Sequence, residues 1–116
     1  TRFEKAGLRV VLCVENMREL RAIQRKVKSF KNVLVVFEPS SAISTQGGKR
    51  VTAENIVMMT QAMRSIAGEN APILYGGSVS AKSVAAIMQE GRVDGVLVGA
   101  ASLSAKEFIA LVKNAL

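Results

Sequence analysis

Residues 73–80, Ile-Leu-Tyr-Gly-Gly-Ser-Val-Ser, contain the change of pattern on which the fold prediction rests. A short apolar run ends at Tyr75, glycines follow directly, and apolar residues then recur at helical spacing from residue 80 onward. Such a run, followed by small residues and an amphipathic segment, is typical of a β-strand that turns into an α-helix. We therefore predict one strand–helix unit across residues 73–90.

The same alternation occurs four times along the chain. Strands that are apolar on both faces and separated by helices form a parallel sheet with the helices packed outside it. The predicted fold class is therefore α/β, and right-handed crossovers place all strand carboxyl ends at one edge. The predicted strands are Arg9–Val14, Val33–Glu38, Ile73–Tyr75 and Gly95–Val98, in sequential order, and the predicted helices lie near residues 16–30, 52–67, 80–90 and 104–115.

Capping residues mark the predicted helix ends. Residues 16–19 and 104–107 fit the capping box, in which the first side chain and a later Glu each accept a bond from the other's backbone amide. The other predicted caps are Thr52 and Ser80 at helix starts, and Gly68 and Gly91 in left-handed conformations at helix ends.

Length and composition indicate one globular domain, residues 1–116, with 49% hydrophobic and 22% charged residues. The apolar runs are far shorter than the ~20 residues of a membrane span. The polar residues 1–5 are not followed by the apolar segment of a signal peptide. We therefore expect a cytoplasmic location.

Two residue counts exclude whole classes of chemistry. Cys13 is the single cysteine, so no intrachain disulfide can form, and its apolar surroundings favour a small core residue over a nucleophile. The sequence contains no His, which excludes Ser-His triads and His-based metal sites. We predict neither a metal nor a cofactor.

The formal net charge of +7 favours an anionic partner: nucleic acid, a membrane surface or a phosphorylated metabolite. Much of the excess lies at residues 18–31, where basic residues alternate with an apolar helical stripe. The solvent face of a helix explains this pattern better than an RNA-binding surface, because no aromatic residue lies among the charges to stack on bases.

Glu38 directly follows five apolar residues, at the end of a predicted strand. Partial desolvation there can raise the proton affinity of a carboxylate toward that of a working base. The alternative is an ordinary solvent-exposed charge, and sequence position alone favours neither. Residues 39–49 form a long connection rich in Ser, Thr and Gly, which is typical of a mobile lid.

Two other loops have the composition of a phosphate site. Gly76-Gly77-Ser78 and Gly99-Ala100-Ala101-Ser102 each follow a predicted strand and lead into a helix. Small residues at such turns let backbone amides point at an anion. Either loop alone is a weak signal, but neighbouring loops of this kind form the phosphate site at the last strands of TIM barrels.

Several stretches together resemble the triosephosphate isomerase family, in that family's order and near its spacing. They are Phe37-Glu38-Pro39, Ala42-Ile43, Tyr75-Gly76-Gly77-Ser78-Val79 and residues 94–103, Asp-Gly-Val-Leu-Val-Gly-Ala-Ala-Ser-Leu. The similarity covers essentially the whole chain, as the fifth to eighth β/α units. It implies a parallel (β/α)4 half of a TIM (β/α)8 barrel.

The resemblance also implies site residues. Glu38 would be the catalytic base that moves a proton between adjacent carbons of a triose phosphate. Ser44 falls where a lid glycine normally donates its amide to the phosphate, and further donors would come from Gly77, Ser78, Gly99 and Ala100.

The sequence departs from the family at defined points. Ser40-Ser41 replaces the usual Val-Trp after the proline, Gln46 and Gly47-Gly48 change the far end of the lid, and Ala100 replaces a glycine. The family's catalytic Lys and electrophilic His belong to its first four units, and this chain has no His. We therefore expect the isolated chain to be inactive or severely impaired.

Three hypotheses follow. The first is an isomerase half-barrel that binds triose phosphate or inorganic phosphate and needs a complementary N-terminal half. The second is a non-catalytic scaffold that self-associates as a homodimer completing an eight-stranded barrel and retains only a phosphate-binding site. The third, a nucleic-acid-binding module, rests on charge alone and ranks below the others.

Overall fold

The computed structural model describes residues 2–42 and 51–116. Four strands alternate with helices, and a short helix that the sequence pattern did not predict precedes the first strand. In chain order the elements are α1 (Arg2–Lys5), β1 (Val10–Val14), α2 (Met17–Gln24), β2 (Val33–Phe37), a 3-10 turn (Ser40–Ala42), α3 (Ala53–Ala67), β3 (Ile73–Tyr75), α4 (Val84–Glu90), β4 (Gly95–Val96), a second 3-10 turn (Ala100–Leu103) and α5 (Ala105–Ala115).

The strands form one sheet in the order β1-β2-β3-β4, and every pair is parallel. This confirms the predicted α/β class and the sequential order. The register places Val14, Phe37, Tyr75 and Val96 in one row across the sheet. Backbone hydrogen bonds continue the ladder one residue beyond the row, from Glu38 N to Val14 O, from Gly76 N to Phe37 O and from Leu97 N to Tyr75 O, at 2.8 to 2.9 Å.

The predicted helix caps are partly confirmed. The side chains of Asn16, Thr52 and Ser104 accept bonds from backbone amides three residues later, at 3.1 to 3.3 Å. The reciprocal bonds of the two capping boxes do not form. Glu19 accepts from the amide of Glu15, and Glu107 accepts from the amide of Ala81 in the loop after β3.

Two helices are shorter than predicted. Helix α2 ends at Gln24, because the chain turns there and Lys26 N bonds to Ile23 O in the tighter 3-10 pattern. Helix α4 begins at Val84, with Ser83 as the residue before it. The Ser80 hydroxyl accepts from the Ser83 amide at 3.3 Å and the Ser80 carbonyl from the Val84 amide at 3.0 Å, as expected of a cap, but a turn over residues 81–83 separates Ser80 from the helix.

The helix-end glycines differ from each other. Gly68 has φ 118°, as predicted for a left-handed residue. Gly91 has φ −73°, so that prediction was wrong, and the left-handed residue is Arg92 at φ 51°. Gly91 is small for another reason, since a Cβ there would lie 2.8 Å from Ile56 Cγ2. Strand β4 ends at Val96 and not at Val98, although Leu97 still bonds to β3.

The main core lies between the sheet and the helices. Val35, Phe37, Ile73 and Tyr75 point from the central strands into a cluster completed by buried residues of the helices, among them Leu20, Ile56, Met63, Val84, Ile87 and Leu111. The phenyl ring of Phe37 and the ring of Tyr75 pack with centroids 6.0 Å apart.

The opposite, inner face of the sheet has its own pattern. Val11 and Cys13 of the edge strand β1 are exposed, and Leu34 is half-buried. Strand alternation puts Val36 on this face with Leu34 and predicts that both are exposed, but Val36 is fully buried. The reason is its central place in the sheet, between Cys13 and Leu74 in the same row.

Candidate functional site

The register brings the four strand-to-helix connections to one level of the sheet. Each connection starts one residue after the row described above, at Glu15, Glu38, Gly76 or Leu97. Because the strands are parallel and in sequential order, the loops after β2, β3 and β4 are neighbours at the carboxyl edge. This is the edge at which α/β proteins place their ligands.

Glu38 is the first residue after β2 and its side chain is half-buried on the inner face. A Cβ built on Gly76 would lie 2.7 Å from Val36 Cγ1 and 3.6 Å from both Glu38 Cβ and Leu97 Cβ. These side chains therefore surround one point, and only a glycine at position 76 leaves room there. The carboxylate thus stands at the edge of the sheet beside the start of the next loop.

Cys13 of β1 lies on the same face of the sheet as this carboxylate. Partial burial, then a hydrogen bond to the Glu38 carboxylate and its negative charge, raise the pKa of the Cys13 thiol to about 11. The thiol is therefore protonated at neutral pH. The prediction that Cys13 fills the core was wrong, because alternation along β1 directs it to the exposed inner face. In the register of the sheet, Cys13 pairs with Val36, two residues before Glu38.

Glu15, at the end of β1, bonds to the start of the loop after β2. Its Oε1 atom accepts from the backbone amide of Ser40 at 3.2 Å and also from the Ser40 hydroxyl. Sequence analysis noted Ser40 as a departure from the family pattern but did not find this contact. The two bonds fix the chain two residues beyond Glu38.

Gly77 and Ser78 lie in the loop after β3, as predicted from the sequence. Gly77 is buried and Ser78 is half-buried. Within the part of the chain that the structure describes, their backbone amides and the Ser78 hydroxyl bond to no other protein group. Unbonded amides at a strand-to-helix turn are available to an anion.

Gly99 and Ala100 lie in the loop after β4 and are exposed. The carbonyl of Gly99 accepts from the Ser102 amide at 2.9 Å and from the Ser102 hydroxyl at 2.6 Å, which closes the 3-10 turn. The amides of Gly99 and Ala100 have no hydrogen-bond acceptor among the described residues. The structure thus places these two donors in the loop next to the one that holds Gly77 and Ser78.

Ser44 and most of the predicted lid lie outside the described residues. In the described ranges 2–42 and 51–116, no cluster of His, Cys, Asp and Glu side chains has the geometry of a metal site. No helix in these ranges combines the length and hydropathy needed to cross a membrane.

The described residues line several cavities. One, about 480 Å³, lies at the opposite, amino end of the sheet, among residues 30–34 and 67–72, remote from Glu38. Another, about 320 Å³, opens between α3 and α4 and is lined by Tyr75, Ser78 and Lys82 among others. Lys82 is the cation nearest in sequence to the unbonded amides, and it is exposed.

The chain was compared with known families and proteins. The model of the family "Triosephosphate isomerase" matches residues 1–115. The triosephosphate isomerase of Marinobacter nauticus is 38% identical to this chain, over 94% of the chain and 51% of that protein. That of Mycoplasma mobile is 37% identical over 77% of the chain and 36% of that protein, and that of Tropheryma whipplei is 42% identical over 72% and 27%. The chain thus spans about half or less of the length of these relatives.

Proposed function

Since the chain belongs to the triosephosphate isomerase family, we propose that it supplies the base and the phosphate-binding loops for the interconversion of dihydroxyacetone phosphate and glyceraldehyde 3-phosphate. The observation that carries this proposal is the common level of the three loops. Glu38, the pair Gly77–Ser78 and the pair Gly99–Ala100 all begin from one edge of the same sheet. Ser44 is proposed as a further phosphate donor on the basis of the family pattern alone.

Glu38 would act as a general base on a carbon-bound proton of the substrate. The carboxylate removes a proton from one carbon and returns it to the neighbouring carbon, so no net proton is consumed and no cofactor is required. A base must lie within hydrogen-bond reach of the proton it removes. The half-buried position of Glu38 on the inner face leaves it accessible to a substrate on that face, which supports this role.

The phosphate of the substrate would bind to the unbonded amides. A dianion between Gly77–Ser78 and Gly99–Ala100 would accept several hydrogen bonds from donors already fixed by the protein. Charge-assisted bonds of this kind are shorter and roughly twice as strong as neutral ones. The distance from this anchor to Glu38 then determines which carbon faces the carboxylate.

Titration with inorganic phosphate tests the anchor. We expect phosphate to shift the amide NMR signals of Gly77, Ser78, Gly99 and Ala100 before any others. Sulfate should give the same pattern. Shifts restricted to the basic residues of α2 and the segment after it, 18–31, would show that phosphate binds by charge alone.

An assay of the purified chain tests the catalytic part. We expect no isomerisation above background, because the chain has no His to stabilise the charge on the substrate oxygen. Loss of one such donor typically costs about 3–4 kcal/mol of transition-state stabilisation. Mixing with an N-terminal half from a relative should restore activity, and Glu38→Gln in the mixture should remove it. Turnover by the chain alone that survives Glu38→Gln would contradict the assignment of Glu38.

The second candidate function is a self-associating half-barrel, residues 1–116, with a phosphate site but no catalysis. Exposed apolar side chains beside β1 and on α5, the helix that follows β4, favour this function. Phe3, Leu8 and Val11 lie on the β1 side, and Phe108, Ile109 and Val112 lie on α5. Two copies would supply the eight strands of a complete barrel. The homodimer and the complementary N-terminal half are thus alternative partners for the same surfaces.

In either case we propose a cytoplasmic location, in keeping with a glycolytic enzyme family, and no nucleic-acid partner.

A further inference from the structure

Two side chains of α5 bond to the main chain of one residue, Ala81, in the loop after β3. The Oε1 atom of Glu107 accepts from the backbone amide of Ala81 at 3.0 Å. The Nδ2 atom of Asn114 donates to the backbone carbonyl of Ala81 at 2.7 Å. Glu107 and Asn114 are seven residues apart on one helix, which places them on the same face two turns from each other. Both polar groups of the Ala81 main chain are thus bonded by the last helix of the chain.

The bonds to Ala81 hold one end of the segment 76–81. At the other end, the amide of Gly76 bonds to Phe37 O at 2.8 Å. Between these ends Val79 is buried in the core, and the amide of Ser80 bonds to Ser83 Oγ at 3.0 Å. Gly77 and Ser78 are the part of the loop whose amides are not bonded. Their direction is therefore determined by the fixed points on either side.

Glu107 makes this bond at the expense of a local one. In a complete capping box its carboxylate would accept from the amide of Ser104, but it reaches instead to Ala81, 26 residues earlier in the chain. A hydrogen bond to a charged acceptor contributes more than a neutral one. The contact thus joins α5 to the loop after β3.

We propose that Glu107 and Asn114 are positioning residues, which hold the loop after β3 in the conformation that directs the amides of Gly77 and Ser78 toward a bound phosphate. This inference rests on the proposed phosphate site. It assigns to α5, which carries none of the predicted donors, control over their geometry. Neither residue touches the substrate.

A carboxylate near a phosphate site has a second, opposite effect, since its charge repels the dianion. The two effects predict different results. If repulsion dominates, Glu107→Ala and Glu107→Gln both tighten phosphate binding. If positioning dominates, Glu107→Ala weakens binding, and Glu107→Gln retains it because the amide oxygen of Gln can still accept from Ala81.

The experiment uses the 116-residue chain labelled with ¹⁵N and titrated with inorganic phosphate. We expect Glu107→Ala and Asn114→Ala each to weaken phosphate binding about 3- to 10-fold and to speed hydrogen exchange of the amides around Ala81 by about 10-fold or more. Glu107→Gln should restore the wild-type affinity. Gln89→Ala, a neutral change at an exposed position of α4, is the matched control and should change neither quantity.

Several results would overturn the inference. They are wild-type affinity and exchange in both alanine variants, or tighter binding in both Glu107 variants. If Glu107→Ala fails to fold, as seen from lost dispersion of the amide signals, Asn114→Ala and Glu107→Gln still decide the matter. If the wild-type chain shows no phosphate shifts at Gly77 and Ser78, the proposed phosphate site fails. In that case, hydrogen exchange of the Ala81 amide in the variants still tests whether Glu107 and Asn114 fix the loop.

Discussion

At the scale of single residues, Cys13 and Glu38 lie on the same inner face of neighbouring strands, and the Glu38 charge acts on the Cys13 thiol. The sequence places Glu38 at the end of a strand, and the structure confirms that position. The sequence could not show which face of β1 carries Cys13, because the apolar neighbours of Cys13 suit a core residue equally well. The choice between the two faces of β1 depends on whether helices or open space lie on each side, and a single strand does not contain that information.

The first prediction concerns the reactivity of the Cys13 thiol. Its pKa is raised from 9.0 to about 11, so at pH 8 the chain should carry roughly a hundredfold less thiolate than an ordinary cysteine. Alkylation by iodoacetamide, followed by mass spectrometry, should be slower than for a free thiol by a comparable factor. Glu38→Gln should speed it only in part, because burial is the largest cause of the shift. Reaction at the rate of a free thiol in the folded wild-type chain would contradict this.

The raised pKa of Cys13 also makes the stability of the fold depend on pH. A thiol whose pKa is higher in the folded than in the unfolded chain stabilises the fold fully below about pH 9, and the contribution is lost as the pH rises toward about 11. Wild-type chain should therefore lose more stability than Cys13→Ser across this interval, as measured by urea unfolding. Parallel pH profiles for the two proteins would show that Cys13 contributes nothing.

At the scale of elements, close approach at Gly76 predicts a specific sensitivity. A Cβ there would lie 2.7 Å from Cγ1 of Val36, a stiff, fully buried side chain. Gly76→Ala should therefore destabilise the chain by about 1–3 kcal/mol. Gly99→Ala is the matched control, because a Cβ there meets nothing within 4 Å, and its effect should stay within about 0.5 kcal/mol. Equal unfolding midpoints for the two variants in urea would refute the packing argument.

Asp94 joins three elements. Its Oδ2 atom accepts from Arg64 of α3 at 2.5 Å and from the backbone amide of Ile73, the first residue of β3, at 2.8 Å. The Asp94 side chain is 48% exposed, so the ion pair itself contributes little. Asp94→Ala should cost about 1–3 kcal/mol, because the Ile73 amide loses its partner, and Arg64→Ala should cost less. Denaturant unfolding of both variants measures the difference, and a larger loss for Arg64→Ala would reverse the argument.

Elements that depend on local sequence pattern could be predicted, and those that depend on contacts between elements could not. Strand order, the caps at Asn16, Thr52 and Ser104, and helices α3 and α5 depend on local pattern and on chain-wide alternation, and they were confirmed. The early end of α2 and the late start of α4 could not be predicted. They depend on how turns close between elements, as the bonds between Ser80 and Ser83 illustrate. The bond from Glu107 to Ala81 was hidden for the same reason, since the capping pattern offered a nearer partner.

At the scale of the whole molecule, the sheet has two edge strands, β1 and β4, and an inner face that exposes Val11 and Cys13. Open strand edges bind other strands readily. We therefore predict that the purified chain is a homodimer in solution at tens of micromolar, with edges paired in parallel across a two-fold axis. A closed, two-fold interface of this kind stops at two copies.

Light scattering measures the solution mass, and hydrogen exchange of β1 and β4 reports whether the edges are paired. Val11→Lys, which places a charge on the exposed inner face, should shift the dimer toward monomer. Lys106→Ala, at an exposed position on α5, is the control and should leave the mass unchanged. A wild-type monomer with rapid exchange at both edges would contradict the dimer.

The row formed by Val14, Phe37, Tyr75 and Val96 has a consequence for how this edge can change. Each loop departs from the sheet at the same height, so lengthening or shortening one loop leaves the starting points of the other three where they are. Residues can therefore be inserted, removed or grafted in a single connection without a compensating shift of register. The chemistry of the edge can be altered one loop at a time, while the sheet beneath stays the same.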